Sequence, residues 1–328
     1  MGLKRIAWAI TTAVVAIAIS GCSIGLGTAG GFTRSGALAG PVDGIDLGGG
    51  SFSVGSKNFT ENILLGKMTV ILLKSAGADV KDLTNIPGSA ASREAQLAGQ
   101  VQLTWEYTGT AWLTYLNNAE PIPDERKQYV ATRDADLREN KLVWLPPTPM
   151  NDTYTMAINA ESAKKYGITK LSEMSKVPPA ERTFCVESEF TNRPDGLKGM
   201  LETYGLPLDS PEGIPRSNLR TLQTGAIYDA TAKGQCTFGE VFTTDGRIEA
   251  LELTALEDDR SFFPKYNASL VVREQVLDKH PEIAELFAPV SEKLTNEVIA
   301  GLNAEVDVDG RDPAEVAWDW LEREGLVS

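Results

Sequence analysis

The sequence predicts an α/β protein of two lobes. Strand-like and helix-like segments alternate from residue 51, and the alternation restarts after the proline-rich break "LPPTP" at 145–149. The last quarter adds one strand and then mostly helix. Such alternation is the pattern of open, largely parallel sheets covered by helices.

Phe52–Ser56 reads as the first strand, followed by a helix over 61–75 with Thr60 as its N-cap. Ile63, Leu64, Met68, Ile71 and Leu72 share one face of that helix, and Gly77 lies past its end. Val80–Ile86 is a second strand, and Ser89 or Ser92 caps a helix to about Ala98. Val101–Tyr107 is the third, turning through Thr108-Gly109 into a helix over about 110–117, which completes a βαβαβ unit. Beyond the break, strands are expected near Tyr154–Asn159, Thr183–Val186 and Thr237–Val241, with helices near 195–204 and 221–233. Ala268–Val272 is the late strand, and Asp312-Pro313 starts the closing helix.

A chain of 328 residues can bury a sizeable core, and 42% hydrophobic with 23% charged residues is ordinary for a globular protein. The net charge of −14 argues against nucleic acid, which needs a basic face. The N-terminus reads as a processing signal over residues 1–21. Lys4 and Arg5 precede an apolar run, Ile6 to Ile19, that is short for a membrane span and ends in "ISGC". That ending resembles a bacterial lipobox, which makes Cys22 the lipidated first residue of an exported protein anchored at the extracytoplasmic face of a membrane. Residues 22–50, rich in glycine and small side chains, read as a flexible tether. Gly25-Leu-Gly-Thr-Ala-Gly30 matches a dinucleotide fingerprint, but the strand and helix that fingerprint needs are missing around it. Cys185 and Cys236 remain as an even pair. They form either a disulfide closing a loop of about 50 residues or two buried thiols.

Catalytic chemistry is scarce. The single histidine, His280, precedes Pro281, and no zinc-type cluster, phosphate-binding loop or nucleophile elbow is present. Paired carboxylates leave a hydrolase formally open. Lys57, Tyr107, Thr110 and Tyr154 instead concentrate at strand ends and turns, where open α/β sheets hold ligands. A lysine at the entrance of a helix suits an anionic group.

"VGSKNFTEN" (54–62), "WEYTGT" (105–110), "NDTYTM" (151–156), the long run 242–274 from "FTTDGRIEALEL" to "NASLVVRE", and "HPEI" (280–283) resemble the osmoprotectant-binding proteins of ABC importers. The resemblance spans residue 51 to the C-terminus. It implies a two-lobed periplasmic binding protein of type 2 with two hinge crossovers. Residues 51–152 plus 267–328 would form the first lobe and 153–266 the second. It also implies a monomeric carrier, neither enzyme nor cofactor- or metal-dependent, that serves a permease and its ATPase. The solute would be a quaternary ammonium such as glycine betaine, with choline, carnitine and proline betaine as alternatives. Such a cation cannot donate a hydrogen bond and is held by aromatic faces. The family's tyrosine cage maps onto Tyr107, Tyr154, Tyr228 and Tyr266, with Asp152 as its acidic neighbour, while Phe242 reads as a core aromatic. A clamp for the betaine carboxylate maps onto Lys57, Thr110 and Arg193. A lipid-anchored enzyme or adhesin on the same fold is the reading from another class.

Overall fold

The computed structural model describes residues 33–328, Pro211 excepted. The signal segment, Cys22 and the first part of the expected tether lie outside the described residues. Among the described residues, ten strands form two five-stranded sheets. They are β1 (Ser51–Lys57), β2 (Asp79–Ile86), β3 (Leu103–Tyr107), β4 (Leu142–Trp144), β5 (Tyr154–Asn159), β6 (Phe184–Val186), β7 (Leu219–Thr221), β8 (Phe238–Phe242), β9 (Leu253–Ala255) and β10 (Ala268–Arg273).

The first sheet has the order β2-β1-β3-β10-β4 and the second β7-β6-β8-β5-β9. In the first, β1 runs parallel to β2 and β3, as the βαβαβ reading requires, while β10 is antiparallel to both its neighbours. The second repeats the plan, with β6 parallel to β7 and β8, and β5 antiparallel to β8 and β9. The chain therefore passes between the sheets twice, after β4 and after β9. The crossing segments touch at an antiparallel bridge between Asn151 and Asn267. Tyr266 N–H donates to Asn151 Oδ1 at 2.6 Å, and Asp152 N–H donates to Tyr266 O at 3.3 Å. Both segments are thus tied to each other as well as to the sheets.

Helix Thr60–Ser75 shows why the core of the first lobe is thick. Leu64, Leu65, Met68, Val70, Ile71, Leu72 and Leu73 are all fully buried, so both faces are covered, by the sheet and by helices Asn296–Asp307 and Pro313–Arg323. Thr60 is the first helical residue rather than the cap, and its hydroxyl donates to Asp307 Oδ1 at 2.6 Å. Gly77 follows the helix with φ 86°, where a Cβ would be strained. Asp312 caps the last helix by accepting from Ala314 and Glu315 N–H.

Residues 33–50 depart from the tether expectation. Leu38 pairs with Val327, Ala39 N–H donates to Leu326 O, and Val42 and Leu47 are buried against the first lobe. The Arg34 guanidinium lies 4.0 Å over the Trp318 ring. A few apolar side chains at the right positions suffice to dock a glycine-rich segment. Among the described residues, no helix is long and apolar enough to cross a membrane.

Cys185, on β6, and Cys236, just before β8, are both fully buried and joined in a disulfide with their Cα atoms 5.8 Å apart. The bridge closes a 51-residue separation within the second lobe. Replacing both cysteines with alanine is expected to cost roughly 4 kcal/mol in the chain-entropy account. Chemical denaturation checks this, with a lowered midpoint for the variant and no comparable change in ligand affinity.

Candidate functional site

A cavity of about 410 Å³ lies between the two sheets. Its walls come from the carboxyl ends of strands and the helix starts that follow them, where backbone N–H groups and turn side chains face the crevice. Lys57 ends β1, Tyr107 ends β3 and Phe242 ends β8, while Tyr154 opens the antiparallel β5. Asp152 and Tyr266 come from the crossing segments. Gly109 explains how close the parts come. A Cβ there would sit 2.8 Å from Lys265 O and 2.9 Å from the Tyr266 ring, so only glycine lets the "YTGT" turn meet the crossing.

Five aromatic rings line the cavity: Phe59, Tyr107, Tyr154, Phe242 and Tyr266. Phe59 stacks on Phe242 at 5.4 Å between centroids, across the two lobes. Tyr154 lies 5.0 Å from Phe242 and meets Tyr266 edge-on at 5.5 Å. Tyr107 donates to Glu61 Oε1 at 2.7 Å and Tyr266 donates to Asp195 Oδ2 at 2.6 Å. Each hydroxyl is thereby satisfied by an acid. The attached ring stays a neutral phenol, because burial and the adjacent carboxylates push both groups well above the ordinary phenol range.

The cations are paired before any ligand enters. Lys57 Nζ lies 2.7 Å from Glu106 Oε2, both buried, and 4.9 Å from the Tyr107 centroid. Arg193 forks onto Asp195, with Nε to Oδ1 at 2.9 Å and Nη2 to Oδ2 at 2.5 Å. It also donates to Glu189 Oε1 at 3.2 Å and Thr110 Oγ1 at 3.3 Å. Glu189 reaches across the cleft to Ser89, accepting from its N–H at 3.0 Å and its hydroxyl at 2.5 Å. Burial alone would raise the Glu189 carboxyl, but the Ser89 donors, Lys57 and Arg193 hold it below the usual range. Burial pushes Glu240 up to about 8, against the Glu187 N–H that it accepts at 2.6 Å.

Of the residues expected from sequence, Lys57, Tyr107, Thr110, Asp152, Tyr154 and Tyr266 line this cavity. Two do not. Arg193 sits behind the wall, its fork taken up by Asp195. Tyr228 lies on helix Thr224–Ala232 in a separate cluster with Ala157, Val241 and Leu253. Its hydroxyl accepts from Phe242 N–H at 2.9 Å and Arg247 lies 4.4 Å over its ring. Phe242, which the sequence reading put in the core, and Phe59, which it did not single out, line the cavity. Both had a legible signal: Phe59 stands in "SKNFTE" between Lys57 and the helix start, and Phe242 ends a strand. Glu187, Ser188, Glu189 and Thr224 also line the cavity unanticipated. Among the described residues, no group of three or more His, Cys, Asp or Glu is placed to hold a metal ion.

A cleft between two α/β lobes joined by paired crossings defines a solute-binding protein of the type 2 periplasmic class. Residues 50–323 match the family described as the substrate binding domain of ABC-type glycine betaine transport systems. The chain belongs to that family and is therefore a substrate-binding protein of transport, not an enzyme. It is 37% identical over 282 residues to the glycine-betaine-binding protein of Pseudomonas aeruginosa, covering 84% of this chain and 88% of that one. It is 31% identical over 274 residues to an ergothioneine transport permease/ergothioneine binding protein of Helicobacter pylori, covering 83% of this chain and 47% of that one. A crystal structure titled as a glycine betaine/carnitine/choline ABC transporter superposes with a TM-score of 0.68 at 26% identity, over 83% of this chain and 98% of that one.

Tyr228 supplies a check on this geometry. Tyr228→Phe removes one buried hydrogen bond to Phe242 N–H and is expected to lower unfolding free energy by about 1–3 kcal/mol. Titration of the variant is expected to give near-unchanged solute affinity. A loss comparable to that of a cavity-lining aromatic would return Tyr228 to the site.

Proposed function

We propose that this protein captures a glycine betaine-like zwitterion outside the cytoplasm and hands it to an ABC permease and ATPase. The observation that carries the reading is the ring of five aromatics drawn from both lobes and the crossing. A trimethylammonium group finds its attraction there, each desolvated ring contact contributing about 2 kcal/mol at most. Donation of the Tyr107 and Tyr266 hydroxyls to carboxylates makes their rings richer in electrons and so better cation receptors. Lining carboxylates Glu187 and Glu189 add to the preference for a cationic head.

The ligand's carboxylate is received by Lys57 and Thr110. Lys57 spends part of its donor capacity on Glu106 and keeps further ammonium hydrogens. Thr110 Oγ1 accepts from Arg193, which leaves the hydroxyl hydrogen for an acceptor in the cavity. Arg193 thus acts as a positioning residue rather than as a direct clamp. Because each lobe supplies only part of the set, bound solute stabilises the closed form that the permease meets. The "ISGC" run supports lipid anchoring of a monomer through Cys22. A second reading, a longer betaine such as carnitine, is favoured by the cavity volume of about 410 Å³, generous for the smallest betaine.

Isothermal titration of the mature protein with glycine betaine, carnitine and choline tests this. Micromolar binding of a betaine, about −8 kcal/mol, is expected. Phe59→Ala or Phe242→Ala is expected to weaken it about tenfold or more. Thr110→Ala is expected to cost the betaines about 1.5–3 kcal/mol while sparing choline. Absence of heat with all three solutes would overturn the reading.

A further inference from the structure

Thr244 brings two carboxyl groups from different parts of the molecule together. Its Oγ1 lies 2.6 Å from Glu61 Oε2 and 2.8 Å from Asp152 Oδ1. Glu61 is in the first turn of helix Thr60–Ser75, Asp152 is in the crossing, and Thr244 follows β8 of the second lobe. A hydroxyl owns one hydrogen and can donate to one acceptor at a time. The second short contact must therefore run the other way, with a protonated carboxyl donating to Thr244 Oγ1. The alternative sets lone pair against lone pair between two buried anions.

The remaining partners say where the proton sits. Glu61 Oε1 accepts from Tyr107, so an ionised Glu61 is served by two donors. Asp152 N–H is used by Tyr266 O, and its carboxyl borders the ligand cavity. We infer that Glu61 and Asp152 share one proton through Thr244, that Asp152 carries it, and that this neutral acid makes the cavity prefer a zwitterion over a plain cation.

The other charged groups facing the pair leave it unneutralised. Asp245 and Asp307 stand on the side of helix Asn296–Asp307, where Arg247 is taken by both, at 2.5 Å and 3.3 Å. Across the cavity, Lys57 is engaged by Glu106, and Glu187 and Glu189 add further negative charge. Glu61 and Asp152 are nearly inaccessible to water, at 2% and 5% exposure. Burial raises both carboxyls, and for Asp152 the neighbouring Glu61 charge adds to it.

Ionisation of Asp152 would put a full negative charge on the cavity wall. It would repel the carboxylate of a betaine and attract choline, so the ratio of betaine to choline affinity falls as pH rises through the loss of the shared proton. The folded state binds this proton more tightly than the unfolded chain. Stability of the ligand-free protein therefore also falls as pH rises from the ordinary carboxylate range to the raised one.

The inference rests on the ligand reading above, and the test separates the two. Glycine betaine and choline are titrated into the mature protein between about pH 6 and about pH 9, a range that buried carboxyls reach. Thermal melts of the ligand-free protein cover the same range. The expected result is an affinity ratio that falls about tenfold with rising pH. It should be flat in Asp152→Asn, with a melting temperature that declines more steeply in wild type than in the variant. Glu61→Gln, which leaves Asp152 to ionise alone, should show the alkaline ratio already near pH 6 and serves if Asp152→Asn does not fold. A pH-independent ratio in wild type, with melting curves parallel to those of the variants, would overturn the inference. If neither solute binds but the melting difference persists, the ligand reading fails and the selectivity role with it, while the shared proton stands.

Discussion

Lys57, Arg193 and Arg247 beside the cleft are each neutralised by the protein's own carboxylates, and the architecture of the site follows from that constraint. A buried lysine or arginine left alone would cost far more than its neighbours could return. Glu106 therefore stands 2.7 Å from Lys57 within the first lobe, and Asp195 holds Arg193 within the second. With the strong cations paired locally, the cavity wall presents aromatic faces, hydroxyls and the carboxylates of Glu187 and Glu189. The cavity wall is thus aromatic and polar at once, with its strong cations already paired.

The same economy governs how the lobes meet. Among the described residues, polar contacts that cross the cleft include Ser89 with Glu189, Thr110 with Arg193, Thr244 with Glu61, Asn303 with Thr244 O, and Arg247 with Asp307. Such bonds contribute a modest net free energy each, because the same groups would otherwise bind water. An apolar contact across the cleft is the Phe59–Phe242 stack, one ring from each lobe. The paired crossing segments hold the two lobes together, because Asn151 and Asn267 bind each other while Thr108 N–H binds Asn267 O.

Much of this was legible in the sequence because it is local. Alternating strand and helix periods announced both lobes, and six of the eight expected ligand residues do reach the cavity, since strand ends and the turns behind them can be read residue by residue. Other elements had weaker signals. Helix Glu125–Asn140, capped by Asp124, is largely polar, with Gln128, Thr132 and Asp136 as its buried positions, so no apolar stripe marks it. Strands β7 and β9 are three residues each, too short for a period to show.

What the sequence by itself determined was the class of fold, the family and the position of the cleft, because these follow from periodicity, turn residues and motif content. Tertiary structure alone decided which rings line the cavity and which charges are already paired. Tyr228 and Phe242 are both aromatic and both near a strand end, yet one packs under Arg247 while the other faces the cavity. That choice depends on which side of β8 each occupies once helix Thr224–Ala232 has packed on it. The pairing of Arg193 with Asp195, and of Glu61 with Asp152 through Thr244, likewise arises only when burial removes water and forces each polar group to find a partner inside the protein.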